Sequence, residues 1–585
     1  MRKINIYQFL IILFGLSLLA GCEDVIKEES FSVLTDDNFY ENQTHAIIAV
    51  NGVYRAMTDR NKDNTQNSTY GMDGNLLMMN KLSDVNYNDG AKANYGGPIA
   101  IATLSENDVV TSNVWALSYM LINRANNVIG NLPDVPMDSV LQQRIVGEAK
   151  FLRAFAYFNL VKYWGRVPIH TDETRDFEDA TILKGRNSVE EVYGQIISDL
   201  EFAEQSLYFK YNSFDENLTY WELPPEAIGR IIEQDEDGIS YMRKVLEITD
   251  KGRATVGAAR SMLGRVYLYL ASAKRYGQLD GYEWVDDFTA YQRARDYCGK
   301  VIDYGHYSLL DNYQSLFSTS NKYHNESIFE IGHDDTSEDQ GSIFGYWHSG
   351  STRIAARPEY VKLFDATFDT DADLFVDSLT DARLYHSASL HQNKDKIMIT
   401  KYGMKSDFKF PRGWPEHLKF INWIGSGFNG PVNVPVIRYA DVLLMMAESV
   451  NEIEGPGRAY EYINQVRARA RRSNVYPTNY PADLFGLTQA DFRSQVWDER
   501  KRELSFELHS LSDLVRTGTF MEKIQATKYL SQSQDVFDDE KWANATSSVL
   551  AGNVSEYNML FPVPLRERDL NPNLDQNPGY NGSAN

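Results

Sequence analysis

Hydrophobic positions along this 585-residue chain recur mainly at helical spacing, and the segments that carry them come in pairs. Residues 148–164, EAKFLRAFAYFNLVKYW, hold twelve apolar or aromatic residues in seventeen, which predicts a helix buried on most of its circumference. Residues 254–273, ATVGAARSMLGRVYLYLASA, repeat the pattern, with Gly257, Ala258, Ala259 and Gly264 permitting close helix approach. In VIRYADVLLMMAESVNE (436–452) the spacing predicts a helix whose Arg438, Asp441 and Glu448 share one stripe. Gly455-Pro456-Gly457 interrupts it, and RAYEYINQVRARARR begins a second helix, giving an αα-hairpin of about 35 residues, the length of a tetratricopeptide repeat. Further helices are expected near 188–207 and 288–304. In the latter, Tyr291, Ala294, Cys298 and Val301 fall on one face, so Cys298 reads as a small buried hydrophobe. Trp115 and Trp164 lie inside apolar helical patterns and are assigned to the core.

Between the helices run long tracts without a period: 60–110, 208–250, 305–360, 365–435 and 473–488. Loops of such length are functional or disordered, and their Trp, Tyr, Gly and Asn content points to order and function in at least some of them. SIFEIG and KIMITKYG suggest a few small strands. The expected class is mainly α.

The N-terminus changes the picture. Arg2 and Lys3 precede an apolar run from Phe9 to Leu19, too short for the roughly 20 residues that cross a bilayer and typical of a signal peptide. Leu19-Ala20-Gly21-Cys22 resembles the lipobox of bacterial lipoproteins, so residues 1–21 are expected to be removed and Cys22 lipidated. Several acyl chains anchor a protein stably where one does not. With Cys22 carrying lipid, Cys298 has no disulfide partner. Formal charge is −23, and loss of residues 1–21 makes it two units more negative, which argues against nucleic acid as a partner. The 36 Tyr and 9 Trp lie in good part in polar, Gly- and Asn-containing segments, where amphipathic rings can stack on sugars or hold a peptide.

Enzyme motifs fail on inspection. Gly425, Gly427 and Gly430 spell G-x-G-x-x-G, but Pro431 and Pro435 follow where a dinucleotide site needs a helix. The acidic loop from Asp369 has Leu374 at the calcium-loop glycine position and Thr380 at the bidentate acid position. No H-E-x-x-H or G-x-S-x-G occurs. Glu499, Arg500, Arg502, Glu503, Glu507, His509, Asp513 and Arg516 crowd one segment, and matched acids and bases there read as ion pairs between elements. The expectation is a non-enzyme without cofactor or metal.

A series of segments, in order, resembles the SusD/RagB family of outer-membrane nutrient-binding lipoproteins of Bacteroidota. They are EAKFLRAFAYFNLVKYWGRVPI, NESIFEI, TDARLY, PVIRYADVLLMMAESVNE with INQVRARA, ERKRELSFELHSLSDLVRTG and FPVPLRERDLNPNLDQNPGY. Ala382 stands where the family commonly has Pro; in ERKRELSFELHSLSDLVR the family usually has Gly where Leu508 stands and Arg where Ser510 stands, so a local turn or ion pair is expected to differ there. The resemblance covers nearly the whole mature chain. It implies a SusD-like α-superhelical fold with tetratricopeptide-like helix pairs and an irregular, loop-rich ligand lobe. On that basis 22–230 is the N-terminal region, 231–310 the repeat-like helices and 311–585 the C-terminal region. The implied function is binding of oligosaccharide or polysaccharide, or peptide in some members, for delivery to a SusC-like TonB-dependent transporter. Glu23 and Asp24 after Cys22 resemble the signal that sends such lipoproteins to the cell exterior. A structural or adhesion role is the other class.

Two tracts carry what a sugar site needs, flat aromatic faces beside short polar groups. LSDVNYNDGAKANYGG offers Asp84, Tyr87, Asn88 and Tyr95, and FGYWHSGSTRIAARPEY offers Tyr346, Trp347, His348, Arg353 and Arg357. Trp284, in the loop GYEW, is a further candidate. Trp347, flanked by Tyr, His and Gly, leads.

Overall fold

A computed structural model describes residues 39–58, 71–87, 96–174, 183–208, 251–334, 355–364, 430–473, 480–529 and 543–581, with 381, 383, 388–389, 416–417 and 540. The leader with Cys22, the site candidates Asn88, Tyr95, Tyr346, Trp347, His348 and Arg353, the KIMITKYG run, the acidic loop from Asp369, and Gly425 and Gly427 lie outside these residues.

Helix α1 spans Gln43–Ala56 and α2 Met72–Met79. Four long helices follow: α3, Val109–Asn131; α4, Ser139–Trp164; α5, Val189–Ser206; and α6, Val256–Arg275. After them come α7, Asp287–Ile302; α8, Tyr439–Glu454; α9, Pro456–Arg472; α10, Gln489–Leu504; and the short α11, Ser510–Arg516. Side chains cap many of the starts and take up orphan N–H groups: Asn42 and Asp138 each accept two, Asp108, Thr255, Asp286 and Thr488 each accept one, and Ser188 forms a capping box with Glu191. Gly165 stops α4 at φ 68°, a left-handed conformation that glycine adopts without steric cost.

Each long helix packs on the next, α3 on α4 and so on through α9, so the chain builds one continuous stack of helix pairs. The expected mainly α, superhelical class is the one found. Where α6 crosses α7, a Cβ on Gly264 would stand 2.9 Å from Cys298 Sγ, so the missing side chain is what lets the two helices meet. Tyr291, Ala294, Cys298 and Val301 are all buried, as their spacing predicts, and burial pushes the Cys298 thiol far up. Trp115 and Trp164 are core residues.

The helix expected over 436–452 begins later. Residues Val434–Arg438 are a strand pairing antiparallel with Ser327–Ile331, and α8 starts only at Tyr439. Pro431 and Pro435 hold the backbone extended, and β-branched Val434, Val436 and Ile437 suit a buried strand. Arg438 is therefore a strand residue and belongs to no helical stripe.

Its guanidinium joins the charged segment that resembles an acid–base site. Arg438 reaches Glu326 at 2.5 Å, Glu507 at 2.6 Å and Glu503 at 3.1 Å. Arg469 of α9 pairs with the same Glu326 and Glu503. Arg383 binds Asp381 at 2.7 Å and Glu499 at 2.7 Å. Burial works against ionisation of Glu499, but Arg383, Arg467 and Arg502 outweigh it and hold its carboxyl down at about 2. These groups are buried and matched, which is the ion-pair reading of the segment. Leu508 and Phe506 adopt φ of 70° and 64°, so the turn keeps a left-handed backbone although Leu508 stands in place of glycine.

Candidate functional site

The site begins with a fully buried α2 and the turn that follows it. Asn80 organises that turn: its amide donates to Leu76 O and to Tyr163 Oη, and its Oδ1 accepts the Leu511 amide. Its carbonyl accepts from Ser83 Oγ at 2.9 Å and from Asn86 Nδ2 at 2.8 Å. A turn wired this way delivers Asn86 and Tyr87 as a short strand, β1 (Asn86–Tyr87).

Strand β1 pairs antiparallel with Ala355–Ala356, Tyr87 opposite Ala355 and Asn86 opposite Ala356. Ala355 in turn faces Glu416, and Glu416–His417 pairs with Ala388–Ser389. The resulting four-stranded sheet gathers residues from three of the long irregular tracts, 60–110, 305–360 and 365–435. The two segments that sequence alone offered as separate ligand loops are neighbours across one strand pair.

Two of the candidate residues hold this joint from beneath. Arg357 is 1% exposed; its amide donates to Val85 O and its Nε–H to Ser83 O, both at 2.8 Å. Asp84 is 7% exposed and receives the Lys501 ammonium of α10 at 2.6 Å. Both therefore fasten the loops to the scaffold instead of lying open in them; a carboxylate or guanidinium in a polar loop reads as exposed until its partner, here far away in sequence, is known. Sequence reasoning missed Lys501 and Glu359. Glu359 follows Arg357 by two residues, inside the same RPEY run, and its Oε1 accepts the Lys528 amide at 2.7 Å. Burial pushes its carboxyl up to about 7, with Arg357 opposing the shift and Asp84 adding to it. Tyr360 completes the fastening, with its hydroxyl 2.8 Å from Ser505 Oγ and its ring edge-on to Phe364 and Phe506.

Asn88 follows β1 directly and Arg353 stands two residues before Ala355, so both candidate loops leave from this sheet. Trp284 is elsewhere, on the connection between α6 and α7. It is 39% exposed, its Nε1–H is held by Gly281 O at 2.9 Å, and no hydrogen bond, ring contact or ion pair among the described residues joins it to β1.

The described residues thus form a helix-pair scaffold with a small sheet stitched from distant tracts. Residues 318–580 match the model of the SusD family, and residues 49–217 match one described as starch-binding, associating with the outer membrane. The chain belongs to the SusD family. It is 26% identical to SusD-like protein P25 of Formosa agariphila, with 98% of each chain covered. In three dimensions it resembles a SusD homolog from Bacteroides thetaiotaomicron, with a TM-score of 0.68, 21% identity, and 94% of this chain and 99% of that one covered. A laminarin binding SusD-like protein aligns with a TM-score of 0.58 at 23% identity, covering 92% of this chain and all of the other. These structural likenesses establish the shared fold. No helix among the described residues is long and apolar enough to cross a membrane.

Proposed function

We propose that the mature chain is a surface lipoprotein, anchored through Cys22, that binds an oligosaccharide or polysaccharide and passes it to a SusC-like TonB-dependent transporter. The observation that supports this most is the sheet joint: β1 pairs with Ala355–Ala356, so the described ends of the two aromatic, polar tracts meet in one strand pair. An extended polymer needs a row of platforms, and two adjacent loops supply one where a single loop would not. The starch-binding description of the matched model and the laminarin in a structural neighbour's name favour polysaccharide over peptide. The charged cluster on α10 and α11 is consumed by ion pairs, so the chain is assigned binding and no chemistry.

The test is a binding screen of the mature protein against purified polysaccharides and, in parallel, a peptide digest. Retention by one polysaccharide class is the expected result, and retention by peptides alone redirects the assignment to a peptide carrier. Purification from native membranes in mild detergent is expected to recover a large outer-membrane partner. Recovery of a monomer only, with glycan uptake intact in a deletion strain, contradicts the transport role and favours a structural or adhesion protein.

A further inference from the structure

Inside the scaffold, where α4, α6 and the α10–α11 turn meet, lies a cavity of about 40 Å³ walled by Phe155, Phe158, Lys162, Arg265, His509 and Asp513 among others. The charged groups around it are unequally satisfied. Arg265 and Arg500 share Asp441, Arg500 and Arg516 share Asp513, and Arg516 closes on Glu448. Glu507, also in the wall, is held by Arg438.

Lys162 is the cation left over. Its ammonium lies 4.7 Å from the centre of the Phe158 ring and 5.2 Å from that of Tyr163, and no carboxylate of the described residues comes within 4.0 Å. Arg265 adds a second unmet donor, because its Nη2 serves Val436 O and Asp441 while its Nε–H is buried with no acceptor among the described residues. Burial, and then the neighbouring Arg265, push Lys162 down to about 7, with Asp513 opposing. His509 adds no charge at neutral pH, since burial pushes its ring down to about 3. Lys162 is half-buried, and the Arg265 Nε–H is the buried donor; such a donor without an acceptor costs about 1–3 kcal/mol, more when charged, so the cavity is a place where an acceptor of negative charge is favoured.

We propose that this cavity holds a small monovalent anion of halide size, bound between Lys162 Nζ and Arg265 Nε. At roughly 10–15 Å³ for each water, the space takes about three waters, or a halide with a water, and no sugar. An anion there offsets the like-charge repulsion of the two cations and keeps Lys162 protonated inside the scaffold. No residue of β1 lines the cavity, so this site stands apart from the glycan proposal.

The test has two arms. Crystals of the mature protein soaked in bromide are expected to show an anomalous peak within hydrogen-bond distance of Lys162 Nζ. Thermal unfolding at pH 6 in sodium chloride and in sodium gluconate of equal ionic strength is expected to give a saturable chloride-specific rise of about 1–3 °C, lost in Lys162→Met. Absence of the bromide peak overturns the proposal whatever the melting temperatures. A peak with equal melting temperatures in both salts overturns it as well, marking an adventitious ion only. If Lys162→Met does not fold, the soaked crystal and the salt comparison on the unaltered protein decide the question.

Discussion

Glu359 shows how a single side chain can report on the joint that carries the candidate loops. Its carboxyl is pushed up to about 7 in the folded protein against an ordinary 4.5, first by burial and then by nearby Asp84. The folded state therefore holds this proton more tightly than the unfolded chain does. Its contribution is complete below about pH 4.5 and is lost as pH rises through about 7. Glu359→Gln keeps the acceptor for the Lys528 amide and removes the titration. Denaturant unfolding is expected to find variant and parent alike at pH 4, with the variant more stable by about 1–3 kcal/mol at pH 8. A difference that does not change with pH contradicts the assignment. At this scale the sequence was legible for residues with a periodic neighbourhood, such as Cys298 and Trp164. It was not legible for Asp84 or Arg357, because the partners that bury them, Lys501 and the Ser83 carbonyl, come from elsewhere in the chain.

Helices were legible as elements because a 3.6-residue period over fifteen or more positions leaves little else to form, and capping residues mark where they begin. The strand before α8 was hidden because a short apolar run suits a buried strand and a buried helix turn equally. The sheet from which the candidate loops leave was beyond reach for a similar reason: pieces of two residues have no period. What ties these elements together is the buried charge network centred on Arg438, which links β-strand, α9 and α10 through Glu326, Glu503 and Glu507. Removing one partner of a buried set leaves charge without compensation. Arg438→Ala is expected to cost about 3–5 kcal/mol in equilibrium unfolding, far above a surface arginine such as Arg458, whose pair with Glu454 is exposed. A loss below about 1 kcal/mol would show that the network is not what holds the C-terminal elements in register.

For the whole molecule, the order of motifs along the chain makes the family readable in the amino-acid sequence, and the stack of helix pairs agrees with it. The C-terminal motif acquires a role that its sequence does not announce. Phe561 donates its amide to Tyr163 O, the Trp164 indole donates to Pro562 O, and Asn577 caps the Trp164 carbonyl, so the tail is clasped to the end of α4. Outside the folded body, the leader makes its own prediction. Cys22→Ala is expected to move the protein from the membrane fraction to the soluble fraction, and a variant that still sediments with membranes contradicts lipid anchoring through that residue.

The central claim is that the loops leaving the β1 joint bind a glycan. Isothermal titration of the retained polysaccharide into the parent protein and into the Tyr87→Ala, Trp347→Ala double variant measures it most directly. Loss of two stacking platforms is expected to weaken binding by about 1–3 kcal/mol, roughly five- to 150-fold in Kd, while the melting temperature stays unchanged. A folded double variant that binds with the parent's affinity contradicts the account.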